Sequence, residues 1–115
     1  MSRFAPFTLI VVPFPYSDRL AEKRRPALVV SSPLLEGEHG LLWVAMVTSQ
    51  LRTHGTGDVI VSDLAAAGLP APSLVRTTKL ATIEPARVIR NAGRLPAADA
   101  EAVSVMLHRH LAASP

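Results

Sequence analysis

The sequence predicts a mainly β protein whose short strands curl into an SH3-like small barrel and end in one C-terminal helix. Three observations carry this. Aliphatic and β-branched runs of four to eight residues recur through residue 91, each closed by Pro, Gly or polar stretches. Apolar residues make up 49% of the 115 residues, enough to pack a core and to argue against disorder. Helical periodicity sets in only after Pro96.

The first strand is expected over residues 9–12, a continuous Leu-Ile-Val-Val run of the kind buried on both faces. Pro13, Pro15 and the polar stretch 17–25 break it and form a long basic loop. A second strand is read over 26–30, with Pro26 tolerated at its first position. A third covers 41–48 and ends at Thr48-Ser49-Gln50, and a short fourth covers 58–62. Residues 63–68 read as a single helical turn closed by Gly68. Pro70 and Pro72 exclude regular structure there, and residues 73–79 and 87–91 are read as the last strands. In the tail, Pro96 opens a helix. Asp99 and Glu101 lie in its first turns and His108, Arg109 and His110 in its last, an order that complements the helix dipole. Val103, Met106, Leu107 and Leu111 form one apolar stripe, expected to cover an end of the barrel. With no internal repeat and no linker, one domain spanning 1–115 is expected.

Composition removes several classes of function. There are no cysteines, so a disulfide scaffold, a cysteine nucleophile and a thiolate metal site are excluded. Aromatics are only 4%, too few for an evident base-stacking platform. The apolar run 7–14 is too short for a membrane span and lacks a cleavage-site pattern, so a cytoplasmic location and no membrane partner are expected. The formal charge is +3, and ten of the twelve cations are Arg, the residue suited to bidentate phosphate recognition.

Arg25 ends the basic loop and directly precedes the second strand, while Thr48 ends the third. If those strands are antiparallel neighbours, the start of one lies beside the end of the other, and Arg25 and Thr48 meet at one rim. From the residues alone, Arg25 also reads as a solvated cation in a basic run, and Thr48 as a strand-end hydroxyl bonding a turn.

Three stretches, read together, resemble the MazF/PemK family of type II toxin–antitoxin ribonucleases. They are Val11-Val12-Pro13-Phe14-Pro15-Tyr16-Ser17-Asp18 leading to residues 23–31, then Val44 through Gln50, then Ala67-Gly68-Leu69 with residues 72–76 and 79–83. Gly93-Arg94-Leu95 before the helix is also similar. The resemblance implies a MazF/CcdB-like toxin barrel that forms a homodimer. It implies a metal-independent, cofactor-free endoribonuclease (an mRNA interferase) that cuts single-stranded RNA in a sequence-specific way. The 2′-hydroxyl would be the nucleophile, and a cognate antitoxin with an acidic disordered tail would inhibit the enzyme. By the same resemblance Arg25 and Thr48 are the catalytic pair, and Tyr16, Arg19, Lys23, Arg24, Ser49, Gln50, Arg76 and Thr78 are RNA contacts. The chemistry suits these types: an Arg grips two phosphate oxygens and stabilises added negative charge, and a hydroxyl donates to a non-bridging oxygen.

Two positions depart from the family. Its members commonly open the first strand with Gly-Asp, where this chain has Phe7-Thr8. Many also carry an acid two residues after the Arg76 equivalent, where Thr78 stands and cannot take a proton as a carboxylate can. Asp18 and Glu22 of the basic loop, or His54, are alternative proton acceptors. His108 and His110, two apart on the helix, point in different directions, His39 lies in a turn, and nothing supports a shared metal site. Two other readings stay open: a non-catalytic DNA gyrase inhibitor similar to CcdB, and a decayed member that binds RNA or antitoxin without cutting.

Overall fold

A computed structural model describes residues 3–13, 24–49, 51 and 55–113. Six antiparallel strands form one sheet: β1 (Thr8–Pro13), β2 (Arg24–Val29), β3 (Leu42–Thr48), β4 (Asp58–Ile60), β5 (Leu74–Ile83) and β6 (Arg90–Arg94). Their spatial order, β4-β5-β3-β2-β1-β6, curls into a half-barrel. Among the described residues, three α-helices accompany them: α1 (Pro33–His39), α2 (Leu64–Ala67) and α3 (Ala97–His110). Among the described residues, no helix is long and apolar enough to cross a membrane.

Strand alternation sorts the apolar residues onto two faces. On one, Leu9, Leu28, Ala45, Val47 and Val75 pack with Ala67, Leu69 and Val103. On the other, Ile10, Val12, Ala27, Val29, Val44 and Ile83 pack with Phe4 and Leu42. β1 therefore buries residues of both faces, as its continuous β-branched run predicts.

Several boundaries differ from the sequence reading, each for a local reason. β2 starts at Arg24 rather than Pro26, because Pro13 and Val12 of β1 pair with Arg24 and Arg25. Pro26 is thus inside a strand. The ladder between β2 and β3 begins only at Ala27–Met46, so Pro26 lies where β2 has parted from one neighbour, a place that tolerates its missing N–H. β4 stops at Ile60, since the Val61 N–H turns to the Ser73 carbonyl and the Ser62 N–H to Asp99. β5 runs on to Ile83 by absorbing an irregularity: adjacent Met46 and Ala45 of β3 pair with Arg76 and Leu80. A 3₁₀ turn at Pro85–Arg87 then displaces the last strand to Arg90–Arg94.

The pattern of apolar residues does not predict α1, and His39 closes this helix rather than lying in a turn. Ser32 caps its start by accepting the Leu34 N–H, Pro33 occupies the first turn, and Gly40 closes it at φ 67°. None of its residues is buried, which is why it has no apolar stripe. Glu36 accepts the N–H groups of Arg3 and Phe4 at 3.0 and 3.3 Å, tying the N-terminal segment down.

α3 packs through Val103, with Leu107 half-buried, but Leu111 lies beyond the helix and is exposed, so the stripe is shorter than expected. Asp99 does more than complement a dipole. It is buried, and its Oδ2 accepts the Ser62 N–H at 2.8 Å and the Ser62 hydroxyl at 2.9 Å. Asp99→Ala orphans both donors and is expected to lower stability by about 1–3 kcal/mol. The urea unfolding midpoint checks this: Asp99→Asn, which keeps an acceptor, should lose less, and an unmoved midpoint for Asp99→Ala would show that the tether contributes nothing.

Candidate functional site

The β2–β3 ladder pairs Ala27 with Met46, Leu28 with Ala45 and Val29 with Val44. Continued two residues past Ala27, the same register sets Arg25 opposite Thr48. Where the two strands part, a cleft of about 360 Å³ opens. β2 contributes Arg24, Arg25 and Pro26 to its walls, and β3 with the residue after it contributes Val47, Thr48 and Ser49. Arg24 and Ser49 are exposed, Arg25 is half-buried, and Thr48 is 7% exposed. β2 and β3 thus bring two cations and two hydroxyl residues to one concave rim, a set suited to an oxyanion.

Sequence reasoning does not single out the remaining wall. Leu69, Pro70, Ala71 and Ser73 line it, in the segment between α2 and β5. Gly68 takes φ 71° to turn the chain out of α2, and the Ser73 hydroxyl donates to the Ala71 carbonyl at 2.8 Å. The available signal is the run Gly68-Leu69-Pro70-Ala71-Pro72-Ser73, whose prolines stiffen a wall without regular structure.

Arg76 does not line the cleft. It stands in β5 between Met46 of β3 and Asp58 of β4, and its Nε lies 3.9 Å from Asp58 Oδ1. A charged side chain in a strand ordinarily points to solvent, and that of Arg76 is largely covered instead. The Arg76 side chain is 19% exposed and that of Asp58 only 8%. Thr78 is exposed and falls among the residues by which β5 exceeds β3. The structure does not bring it to the cleft. Its neighbour Thr77 is buried and donates its hydroxyl to the Gly57 carbonyl at 2.6 Å. Tyr16, Arg19, Lys23 and Gln50, together with Phe14, Asp18, Glu22 and His54, lie outside the described residues.

A curled antiparallel sheet with a long C-terminal helix is the fold of solved MazF toxins. Residues 5–111 match the family described as PemK-like, MazF-like toxin of type II toxin–antitoxin system, and the chain belongs to that family. The fold is similar to Mycobacterium tuberculosis toxin MazF-mt6, with 22% identity, 89% of this chain and 93% of that chain covered, and a TM-score of 0.71. An endoribonuclease in complex with its cognate antitoxin from Mycobacterial species aligns over 97% of this chain and 99% of its own, with 14% identity and a TM-score of 0.76. MazE-MazF (Form-II) from Deinococcus radiodurans aligns over 96% and 97%, with 21% identity and a TM-score of 0.73. No curated protein matches the chain.

Proposed function

We propose that the protein is the toxin of a type II toxin–antitoxin pair and a metal-independent, sequence-specific endoribonuclease acting on single-stranded RNA such as mRNA. The observation that supports this reading is that Arg25 and Thr48 line one cleft where β2 and β3 part, together with Arg24 and Ser49. RNA supplies its own nucleophile. The 2′-oxygen attacks phosphorus as it loses its proton, the bond from phosphorus to the 5′-oxygen breaks, and that oxygen gains a proton. The products are a 2′,3′-cyclic phosphate and a 5′-hydroxyl. Arg25 neutralises the charge that builds on the non-bridging oxygens, and Thr48 donates a hydrogen bond to one of them. Arg24 and Ser49 hold the flanking backbone.

Membership of the toxin family supports an antitoxin as partner, and solved complexes of similar proteins with antitoxins support it further. An acidic, disordered antitoxin tail is the natural competitor for a cleft built to hold phosphate. The homodimer reading is supported by a groove of about 300 Å³ between the sheet and the end of α3, where Trp43, Leu80 and Leu111 expose apolar surface. A cytoplasmic location follows from an mRNA substrate.

The test is incubation of a long single-stranded RNA with the purified protein in EDTA, with the ends of the fragments determined. Fragments ending in 2′,3′-cyclic phosphate are the expected result. Intact RNA across diverse sequences would overturn the enzyme reading and favour gyrase inhibition or binding alone.

A further inference from the structure

Nothing in the chemistry above uses Asp58, yet its position is unusually well defined. Cross-strand partners in an antiparallel sheet project to the same face. Asp58, Arg76 and Met46 therefore form one row, which Ala27 of β2 extends. The next row toward the rim runs Ile60, Leu74, Thr48, and the continued β2–β3 register adds Arg25 to it. Arg76 lies two residues along β5 from Leu74, so it is the diagonal neighbour of Thr48. Such neighbours are about 7–8 Å apart, within reach of a long side chain.

The carboxylate of Asp58 is fixed by its own turn. Its Oδ2 accepts the Gly55 N–H at 2.9 Å, while its backbone N–H donates to the Gly55 carbonyl at 3.0 Å. Its Oδ1 lies 3.9 Å from Arg76 Nε, a charge contact rather than a hydrogen bond. The acid is thus held by its own turn while it faces the cation. This charge contact reaches the guanidinium from its stem side, whereas the bidentate grip on phosphate oxygens comes from the other nitrogens.

We propose that Asp58 is a positioning residue for Arg76, holding its guanidinium toward the face shared with Thr48 and Arg25, where charge develops on the scissile phosphate. The proposal rests on the ribonuclease reading. It assigns the carboxylate on this face to β4, whereas the family resemblance points to position 78 for one.

A double-mutant cycle tests it, using steady-state cleavage of a single-stranded RNA reporter in EDTA by the full chain. Asp58→Asn keeps an acceptor for the Gly55 N–H but removes the charge. It is expected to lower kcat about tenfold with KM within about twofold, since the interaction matters most where charge builds. Arg76→Ala is expected to lower kcat about 100-fold, and the double variant no further, because Asp58 acts only through Arg76. Asp58→Glu should recover part of the loss, which a purely structural role in the Gly55 turn would not predict. An undiminished rate for Asp58→Asn, or a loss that persists in full on the Arg76→Ala background, overturns the proposal while leaving the nuclease reading intact. RNA left uncut by the unaltered protein overturns the nuclease reading and this proposal with it.

Discussion

Arg25→Ala is expected to reduce RNA cleavage by roughly 10³-fold, the scale of losing a preorganised donor aimed at developing negative charge. The residue is half-buried at the rim, and its strand neighbours Pro26 and Ala27 carry the packing. The substitution should therefore leave the unfolding midpoint nearly unchanged, within about 0.5 kcal/mol. Arg25→Lys separates two contributions. A lysine keeps the charge but loses the planar fork, so an intermediate loss of roughly 10–100-fold is expected. Equal losses for both variants would mean that bidentate geometry matters more than charge. Single-turnover cleavage of one RNA in EDTA reads all three proteins. A fully active Arg25→Ala variant would remove the residue from the site and leave the cleft without its central cation.

Arg25 and Thr48 mark how far the amino-acid pattern reaches. Both sit at ends of strongly patterned strands, and strands consecutive in the chain tend to lie side by side. Their meeting at a rim is therefore legible in the sequence itself. The Asp58–Arg76 pair is not. It depends on β4, three residues long, finding its register on β5 just before β5 accommodates its irregularity. No periodicity reports that register. The Leu69–Ser73 wall is visible as a proline-rich run, but nothing local indicates which rim a connector of this kind will cover.

Phe7 is a different case. In the sequence it stands out only where the family resemblance implies a glycine. It takes φ 66°, the left-handed region that glycine enters freely and that other residues enter at about 1–2 kcal/mol. Here the ring packs on the core beneath α3, and the Phe7 N–H donates to the Val29 carbonyl at 2.7 Å. Those contacts hold the strained conformation. A glycine would enter this conformation without strain, a backbone cause that a sequence does not show. α1 is the converse, since Ser32, Pro33 and Gly40 are readable cap signals. They escape a reading by periodicity because the helix between them has no buried face to give a period.

Gly68→Ala is expected to be the most destabilising of the single substitutions considered. Gly68 ends the four-residue α2 at φ 71°, where its N–H donates to the Ala65 carbonyl while the Leu69 N–H returns to Leu64. A methyl group there would strain the backbone and would also collide with the carbonyl of Ala92 in β6. The approach is reciprocal, because a Cβ on Gly93 would fall 2.5 Å from the Ala66 carbonyl oxygen and 2.7 Å from the Ala67 carbonyl carbon. Neither side can retreat easily: β6 is laddered to β1, and Ala67 is buried against the core. Left-handed strain of about 1–2 kcal/mol plus a backbone clash should bring the loss above about 3 kcal/mol. For a chain of this size that is a fall in Tm of roughly 10–20 °C. Gly37→Ala is the contrasting control. Gly37 lies inside exposed α1 with open space around it, so alanine there should gain about 0.5–1 kcal/mol. The cleft gives Gly68 a second readout, since the segment it launches lines the side facing Arg24 and Ser49. At temperatures where Gly68→Ala remains folded, cleavage should still fall, because Leu69 and Pro70 can no longer keep their places. A Tm within a few degrees of the parent would show that α2 can shift away from β6, and that this wall is adjustable rather than fixed.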